Sequence, residues 1–349
     1  MAQSSEFPSF PNDCKSLLSK YLTEDIFEQL QNTKTEYGFT LNKAINSGVK
    51  NPDSGIGVYA GDSESYTCFA PLFDSIIKEY HGFNKEDLHQ SNLNANDLIA
   101  PNPDPEGKYI LSTRIRVGRN FANMPLGPSI NKEQRDEVEA QSKEALNALN
   151  DELKGTYFPI SGMNEVVKEN LIQDHFLFKA GDRFLEAAYL NENWPSGRGI
   201  FHNDEKTFLV WVNEEDQLRI ISMQQGGDIK EVFKRLTLAI SKLEEKLTFS
   251  YDDHLGYITS CPTNLGTAMR ASVHIKLPNL GENMETFEKI TNKHYLQIRG
   301  IHGEHSDSVG GIYDISNKRR LGVTEVQCVQ DMHDGVVALI NAEKELEKK

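Results

Sequence analysis

The sequence predicts an α+β protein: a small all-α N-terminal domain, then a larger α/β domain built on an antiparallel sheet flanked by helices. Three observations predict it. Apolar residues recur at helical spacing before a proline-punctuated stretch at 91–107, which carries Pro101, Pro103 and Pro105. After that stretch, short segments alternate apolar and polar residues with the period of a strand. Two of those strands are joined by only five residues, too few for a parallel crossover. The expected division is a helical domain over 1–90, a linker over 91–107 and the larger sheet-containing domain over 108–349.

Taken in order, Leu72, Phe73, Ile76, Ile77 and Tyr80 place a helix over 71–80. Residues 108–117 read as a strand, in which Ile115 and Val117 alternate with Arg114 and Arg116. A helix is expected over 131–153, opened by an Asn131/Gln134 capping box and carrying Val138, Ala145, Leu146, Leu149 and Leu153 on one face. Residues 207–212 and 218–223 form the antiparallel pair, linked by Asn213-Glu214-Glu215-Asp216-Gln217. Ile229, Val232, Phe233, Leu236, Ile240 and Leu243 make a strongly amphipathic helix over 229–243. Over 270–277, Arg270, Ser272, His274 and Lys276 face one way and Ala271, Val273, Ile275 and Leu277 the other. Residues 295–298 form a further strand that Arg299 ends, and a helical stripe over 326–340 closes the chain.

Composition narrows the function. The chain has 349 residues, of which 38% are hydrophobic, enough for a sizeable core. Its longest apolar runs, such as residues 208–212, are strand length and far below a membrane span. The polar opening of residues 1–11 has no basic-then-apolar signal, and four scattered cysteines without a CxxC pair fit reduced thiols, so the expected compartment is the cytosol. A formal net charge of −15 argues against nucleic-acid binding. An acidic protein that binds a nucleotide must gather its arginines in one pocket, so their placement is informative.

Arg114 and Arg116 leave one face of a strand; Arg219, Arg270 and Arg299 stand on or at the end of three others. So many guanidinium groups on neighbouring polar faces repel one another unless an anion lies between them, and their planar, permanently charged forks suit a triphosphate. Carboxylates accompany them: Glu214 and Glu215 in the short connection, and Glu304 in a glycine-rich loop spanning 299–311. His302 and His305 beside Glu304 have no second ligand cluster in the sequence, so that loop reads as one that orders on substrate rather than a metal site. Gly55-Ile56-Gly57-Val58-Tyr59-Ala60 matches a dinucleotide fingerprint formally, but turn residues precede it where a strand is required. No P-loop and no protein-kinase motif set occurs.

Ser112-Thr113-Arg114-Ile115-Arg116, Trp194-Pro195-Ser196-Gly197-Arg198-Gly199, Asn213-Glu214-Glu215-Asp216, Cys261-Pro262-Thr263-Asn264-Leu265-Gly266-Thr267 and Asp314-Ile315-Ser316-Asn317-Lys318 together resemble the phosphagen kinases. The blocks recur in that family's order and cover nearly the whole chain. The resemblance implies reversible transfer of phosphate between MgATP and a guanidino substrate. It implies that Arg114, Arg116, Arg219, Arg270 and Arg299 hold the phosphates, that His175 lies near the adenine, and that Glu214 reaches Mg2+ through water. Glu215 and Glu304 would grip the guanidinium, with Cys261 against it as a thiolate.

The segment Ser54-Gly55-Ile56-Gly57-Val58-Tyr59 resembles the short substrate loop of family members that use arginine, its amides meeting the carboxylate and Tyr59 the α-amino group. Glu304 stands where creatine-specific members carry an apolar residue, which also implies L-arginine. Taurocyamine or another guanidine is the alternative, because relatives using those share the loop type. Gln217, in place of a usual histidine, and His302, in place of an arginine, depart from the family pattern without removing a proposed ligand. A silent arginine or nucleotide sensor on the same fold would be expected to lack one of these glutamates or arginines. Members resembling this chain are often monomers, so a monomer is expected.

Overall fold

The computed structural model describes residues 6–174, 176–300 and 310–348. Its N-terminal part is helical: Leu17–Tyr21, Glu24–Leu30, Leu41–Lys50, Ser65–Cys68 and Ala70–His81. The last of these contains the expected 71–80 helix and stops at Gly82, whose φ of +67° is the left-handed conformation that glycine adopts without a Cβ clash. Leu18, Phe27, Leu41, Ile45, Phe69, Leu72, Phe73 and Ile76 form its core. Leu126, Leu255, Ile258, Leu265 and Leu321 join that same core, so the helical part is packed onto the larger one through apolar side chains.

The larger part is an eight-stranded sheet in the order β2-β3-β4-β5-β1-β8-β10-β9, antiparallel throughout. The strands are β1 (Ile110–Arg119), β2 (Gly155–Pro159), β3 (Gly199–Asn203), β4 (Phe208–Val212), β5 (Leu218–Gln225), β8 (Met269–Lys276), β9 (Leu296–Arg299) and β10 (Ile312–Asn317). A separate two-stranded ribbon pairs β6 (Tyr251–Asp252) with β7 (Gly256–Tyr257). The alternation read from the sequence assigns the faces. Ile115, Val117, Val210, Val212, Ile220, Ala271, Val273, Ile275 and Ile315 enter the main core.

Helices Ile229–Glu244 and Glu325–Leu346 cover that apolar face. Asp228 caps the first of them, its carboxylate accepting from the Glu231 N–H at 3.1 Å, worth about 1 kcal/mol. The stripe Ile229, Val232, Phe233, Leu236, Ile240 and Leu243 is fully buried, each side chain contributing about 1.5–3 kcal/mol. One expectation fails in part. The 131–153 helix ends at Asn147, as Lys132–Asn147, and a 3-10 turn at Asp151–Leu153 follows. Leu149 and Leu153 are still buried, but the chain turns between them: Asn150 is extended and Asp151 has a φ of +50°. Short polar side chains compete with helical hydrogen bonds at such points.

Candidate active site

Arginines occupy the sheet face opposite the helices. Antiparallel register puts Arg116 on β1 directly beside Arg270 on β8, and Gly118 beside Arg219 on β5. Arg114, two residues before Arg116, lies over the Trp211 ring at 5.4 Å. Arg299 ends β9, level with Asp314 on β10. Arg114, Arg116, Arg219 and Arg270 thus come together from three strands because strand pairing aligns their faces.

Their charges are unevenly matched. Arg219 donates to Glu214 through Nε at 3.0 Å and to Glu215 through Nη2 at 2.6 Å, with Asp216 at 3.6 Å. Burial alone would lower its pKa; the three carboxylates outweigh that and hold it above the ordinary value. Arg270 pairs with Asp314 at 2.7 Å. Arg114 and Arg116 donate to no carboxylate among the described residues. Burial first, then repulsion from Arg270, pushes Arg114 down to about 10. Arg116 is held well below the ordinary guanidinium value, by burial and then by Arg219, Arg114 and Arg270. The Nε atoms of Arg114 and Arg270 are buried with no acceptor among the described residues. This face is arranged for an anion.

The acidic connection is fixed from below. Asn213, at φ +58°, donates through its side chain to the carbonyls of Arg135 and Gly197. Gln217 uses both ends of its amide, accepting from the Phe121 N–H at 2.7 Å and donating to the Pro125 carbonyl at 2.8 Å. That explains how glutamine serves at a position where histidine was expected. Asp216 is buried behind Arg219 and accepts from Asn120 at 3.0 Å. Burial pushes it up to about 6 although Arg219 pulls the other way. Gly118 is needed opposite it, since a Cβ there would collide with the Asp216 carboxylate.

Glu215 points the remaining oxygen at Asn264, which donates at 3.1 Å from the turn that follows Cys261. Asn264 also accepts from Arg320, whose Nη1 donates to the Thr263 carbonyl at 3.1 Å. The Cys261 thiol meets the Thr263 hydroxyl at 3.1 Å. Its expected thiolate form is at odds with its surroundings here: burial first, and Glu215 second, push it up to about 12. No positive charge among the groups that set it offsets those two. Cys261→Ala should reduce turnover about tenfold to hundredfold without abolishing it, read from kcat with the melting temperature as control. An unchanged kcat would leave Cys261 a packing role only.

The loop before Tyr59 sits in the helical part, after helix Leu41–Lys50, with no strand ahead of it. The Gly55 and Ile56 carbonyls accept from Leu17 and Leu18, and Gly57 from Gly48. Among the described residues, the N–H groups of Gly55, Ile56, Gly57 and Val58 donate to no backbone carbonyl. Ser54 N–H is used by Asn51. Ala60 N–H bonds the Ser260 carbonyl at 2.7 Å, which brings this loop against the Cys261 turn. Tyr59 is raised well above the ordinary phenol, by burial and then by Cys261 and Glu215. Glu304 and His175 lie outside the described residues, as does His302.

Sequence reasoning left Asp216, Asn264, Asp314 and Arg320 without roles. The first three stand inside the quoted motif runs and Arg320 just beyond one, so the signal was present as position but not as chemistry.

The profile of the ATP:guanido phosphotransferase C-terminal catalytic domain matches residues 137–346, and that of the N-terminal domain matches residues 12–78. An arginine kinase of Penaeus vannamei is 56% identical over 335 residues, covering 96% of this chain and 94% of that protein. An arginine kinase of Eriocheir sinensis is 55% identical over 336 residues with the same coverage. Among solved structures, a lombricine kinase superposes with a TM-score of 0.92 at 38% identity, covering 99% of this chain and 96% of that one. The duplicated taurocyamine kinase of Schistosoma mansoni, with bound transition state analog components, gives 0.89 at 45% identity, over 95% of this chain. This chain spans about half the length of that duplicated protein, 47% of it. With both halves of the family's architecture matched and identity extending over nearly its whole length, the chain belongs to the ATP:guanido phosphotransferase family.

Proposed function

We propose that this chain is an arginine kinase, which reversibly transfers the γ-phosphoryl group of MgATP to the guanidino group of L-arginine, giving phosphoarginine and ADP. The observation that carries this reading is the pair of uncompensated guanidinium groups, Arg114 and Arg116, set beside the Glu214–Glu215–Arg219 cluster. One is an anion seat and the other a carboxylate seat for a cation. In this reading Arg114, Arg116, Arg219, Arg270 and Arg299 clamp the phosphates, His175 lies beside the adenine, and Glu215 and Glu304 dock the substrate guanidinium. The loop Ser54-Gly55-Ile56-Gly57-Val58 offers its amides to the amino-acid carboxylate, and Tyr59 faces the α-amino group.

Magnesium belongs to the nucleotide substrate: phosphate oxygens are its main ligands, and Glu214, shared with Arg219, reaches it through water. In the forward step a guanidino nitrogen lone pair forms the N–P bond while the bond from the γ-phosphorus to the β–γ bridging oxygen breaks. The nitrogen's proton passes to a carboxylate beside it, the role we assign to Glu215. Protein groups contribute alignment and charge stabilisation rather than covalent chemistry. No described helix is long and apolar enough to cross a membrane. We place the enzyme in the cytosol as a monomer of two domains, divided at the 91–107 linker.

The test is a coupled ADP-release assay with MgATP, offering arginine, creatine, glycocyamine, taurocyamine and lombricine separately against a no-acceptor blank. Arginine should turn over at least about a hundredfold faster than the others, because the loop amides and Tyr59 together call for an α-amino acid end, which creatine, glycocyamine and taurocyamine lack and lombricine carries only beyond a phosphodiester. Turnover with taurocyamine alone would keep the chemistry and overturn the substrate. No turnover in folded, ATP-binding protein would point to a sensor.

A further inference from the structure

A second cluster of unpaired donors lies on the other side of the sheet. Arg119 ends β1 in phase with the core-facing Ile115 and Val117, not with Arg114 and Arg116, and is 0% exposed. Its guanidinium carbon lies over the Tyr257 ring, 3.3 Å from the centroid. Nη1 donates to the carbonyls of Gly118 at 2.8 Å and Thr267 at 3.2 Å. Nε and Nη2 have no partner among the described residues, and no carboxylate there pairs with this charge.

His89, 4% exposed, packs against Gly256, next to Tyr257 on the same ribbon. The Gly322 N–H donates to Nδ1 at 3.3 Å, which puts the ring proton on Nε2. That Nε2 also has no partner among the described residues. Gly256, which precedes Tyr257, has a φ of +69°, and a Cβ there would strike His89 Cδ2, the atom bonded to Nε2. The unpaired edge of His89 is therefore pressed against the chain that carries the Arg119 platform. Burial first, and the Arg119 charge second, bring His89 down to about 4, which keeps it a neutral N–H donor. Two carboxylates beside the Tyr257 ring are committed elsewhere. Glu325 accepts from the Ser91 hydroxyl and the Asn92 N–H, and Glu244 from the Tyr257 hydroxyl at 3.4 Å.

We infer that a small monovalent anion of the halide class binds between Arg119 and His89, at a site separate from the nucleotide arginines. The lining decides for an anion over a water. Nε and Nη2 of Arg119 and Nε2 of His89 can only donate, whereas a water must place two protons of its own. An anion accepts from all of them and supplies the counter-charge that a fully buried guanidinium otherwise lacks. Bound there, it ties the chain leaving the helical part at His89 to the end of β1 and to the ribbon ahead of the Cys261 turn.

Crystals grown in sodium bromide test this. An anomalous peak should lie within hydrogen-bond distance of Arg119 Nη2 and His89 Nε2, and should vanish in His89→Phe crystals while any halide on the Arg114–Arg116 face persists. Density with no anomalous signal, meaning a water, overturns the proposal. In solution, with MgADP saturating the other arginines, replacing chloride by gluconate at constant ionic strength should lower the wild-type melting temperature by a few degrees. That halide dependence should be absent in His89→Phe; an equal response in both proteins counts against the site.

Discussion

Glu215→Gln should lower kcat by about 100- to 1,000-fold while leaving the KM for MgATP within about threefold. The side chain bridges two parts of the site, accepting from Arg219 at 2.6 Å and from Asn264 at 3.1 Å. Glutamine has nearly the same shape and can still accept from Asn264. What it loses is the negative charge that would hold the substrate guanidinium and take its proton. Arg219 keeps Glu214 at 3.0 Å and Asp216 at 3.6 Å, so the arginine cluster proposed to hold the phosphates and the fold should persist. The measurement is steady-state kinetics in both substrates beside a thermal melt. A kcat near that of the wild type would remove Glu215 from the chemistry; a collapsed melt would move the effect to structure.

That the change can be aimed at one carboxylate reflects how the sequence encodes the site. Period-two alternation is enough to put Arg114 and Arg116 on one face and Ile115 and Val117 on the other, because a strand offers only two sides. A five-residue acidic connection between two strands forces an antiparallel pair and so carries Glu215 past Arg219. What periodicity does not encode is register. Arg116 faces Arg270, and Asp314 comes level with both His274 and Arg299, only once the strands pair. Asp314 is therefore invisible as a counter-charge until the sheet is built. Arg320 is harder still, since it reaches Asn264 from an irregular segment after β10.

The Cys261 thiolate shows a different limit. Its motif is plain in the sequence, but ionisation depends on burial and on the sum of nearby charges, and here Glu215 and desolvation set it. The helix that stops at Asn147 shows a third. Apolar spacing continues through Leu149 and Leu153, and both are buried, yet asparagines and Asp151 turn the backbone while the pattern carries on. Burial periodicity alone cannot separate a helix from a helix followed by a turn that returns to the same core.

Arg219→Met should be the most damaging single change, and its two consequences can be read separately. The Arg219 side chain is 7% exposed and is the cation on which Glu214, Glu215 and Asp216 converge. Removing one partner of a buried ion cluster costs about 3–5 kcal/mol, because the charges left behind stay desolvated. Phosphate binding is lost as well, so turnover should fall below detection. The stability loss has a sign in pH. Asp216 already sits at about 6 in the folded protein, above its ordinary value of 3.8, even with Arg219 pulling it down. A carboxyl raised on folding favours the folded state below its unfolded pKa and loses that contribution as pH rises through the folded one. Without Arg219 that folded pKa rises further. The deficit of Arg219→Met against the wild type should therefore be largest near pH 8 and shrink toward pH 5, read from urea denaturation at both. Arg219→Lys, which keeps a charge but not the fork that reaches Glu214 and Glu215 together, should recover part of the stability and little of the rate. A deficit of equal size at both pH values would mean that the three carboxylates do not depend on Arg219 for their charge.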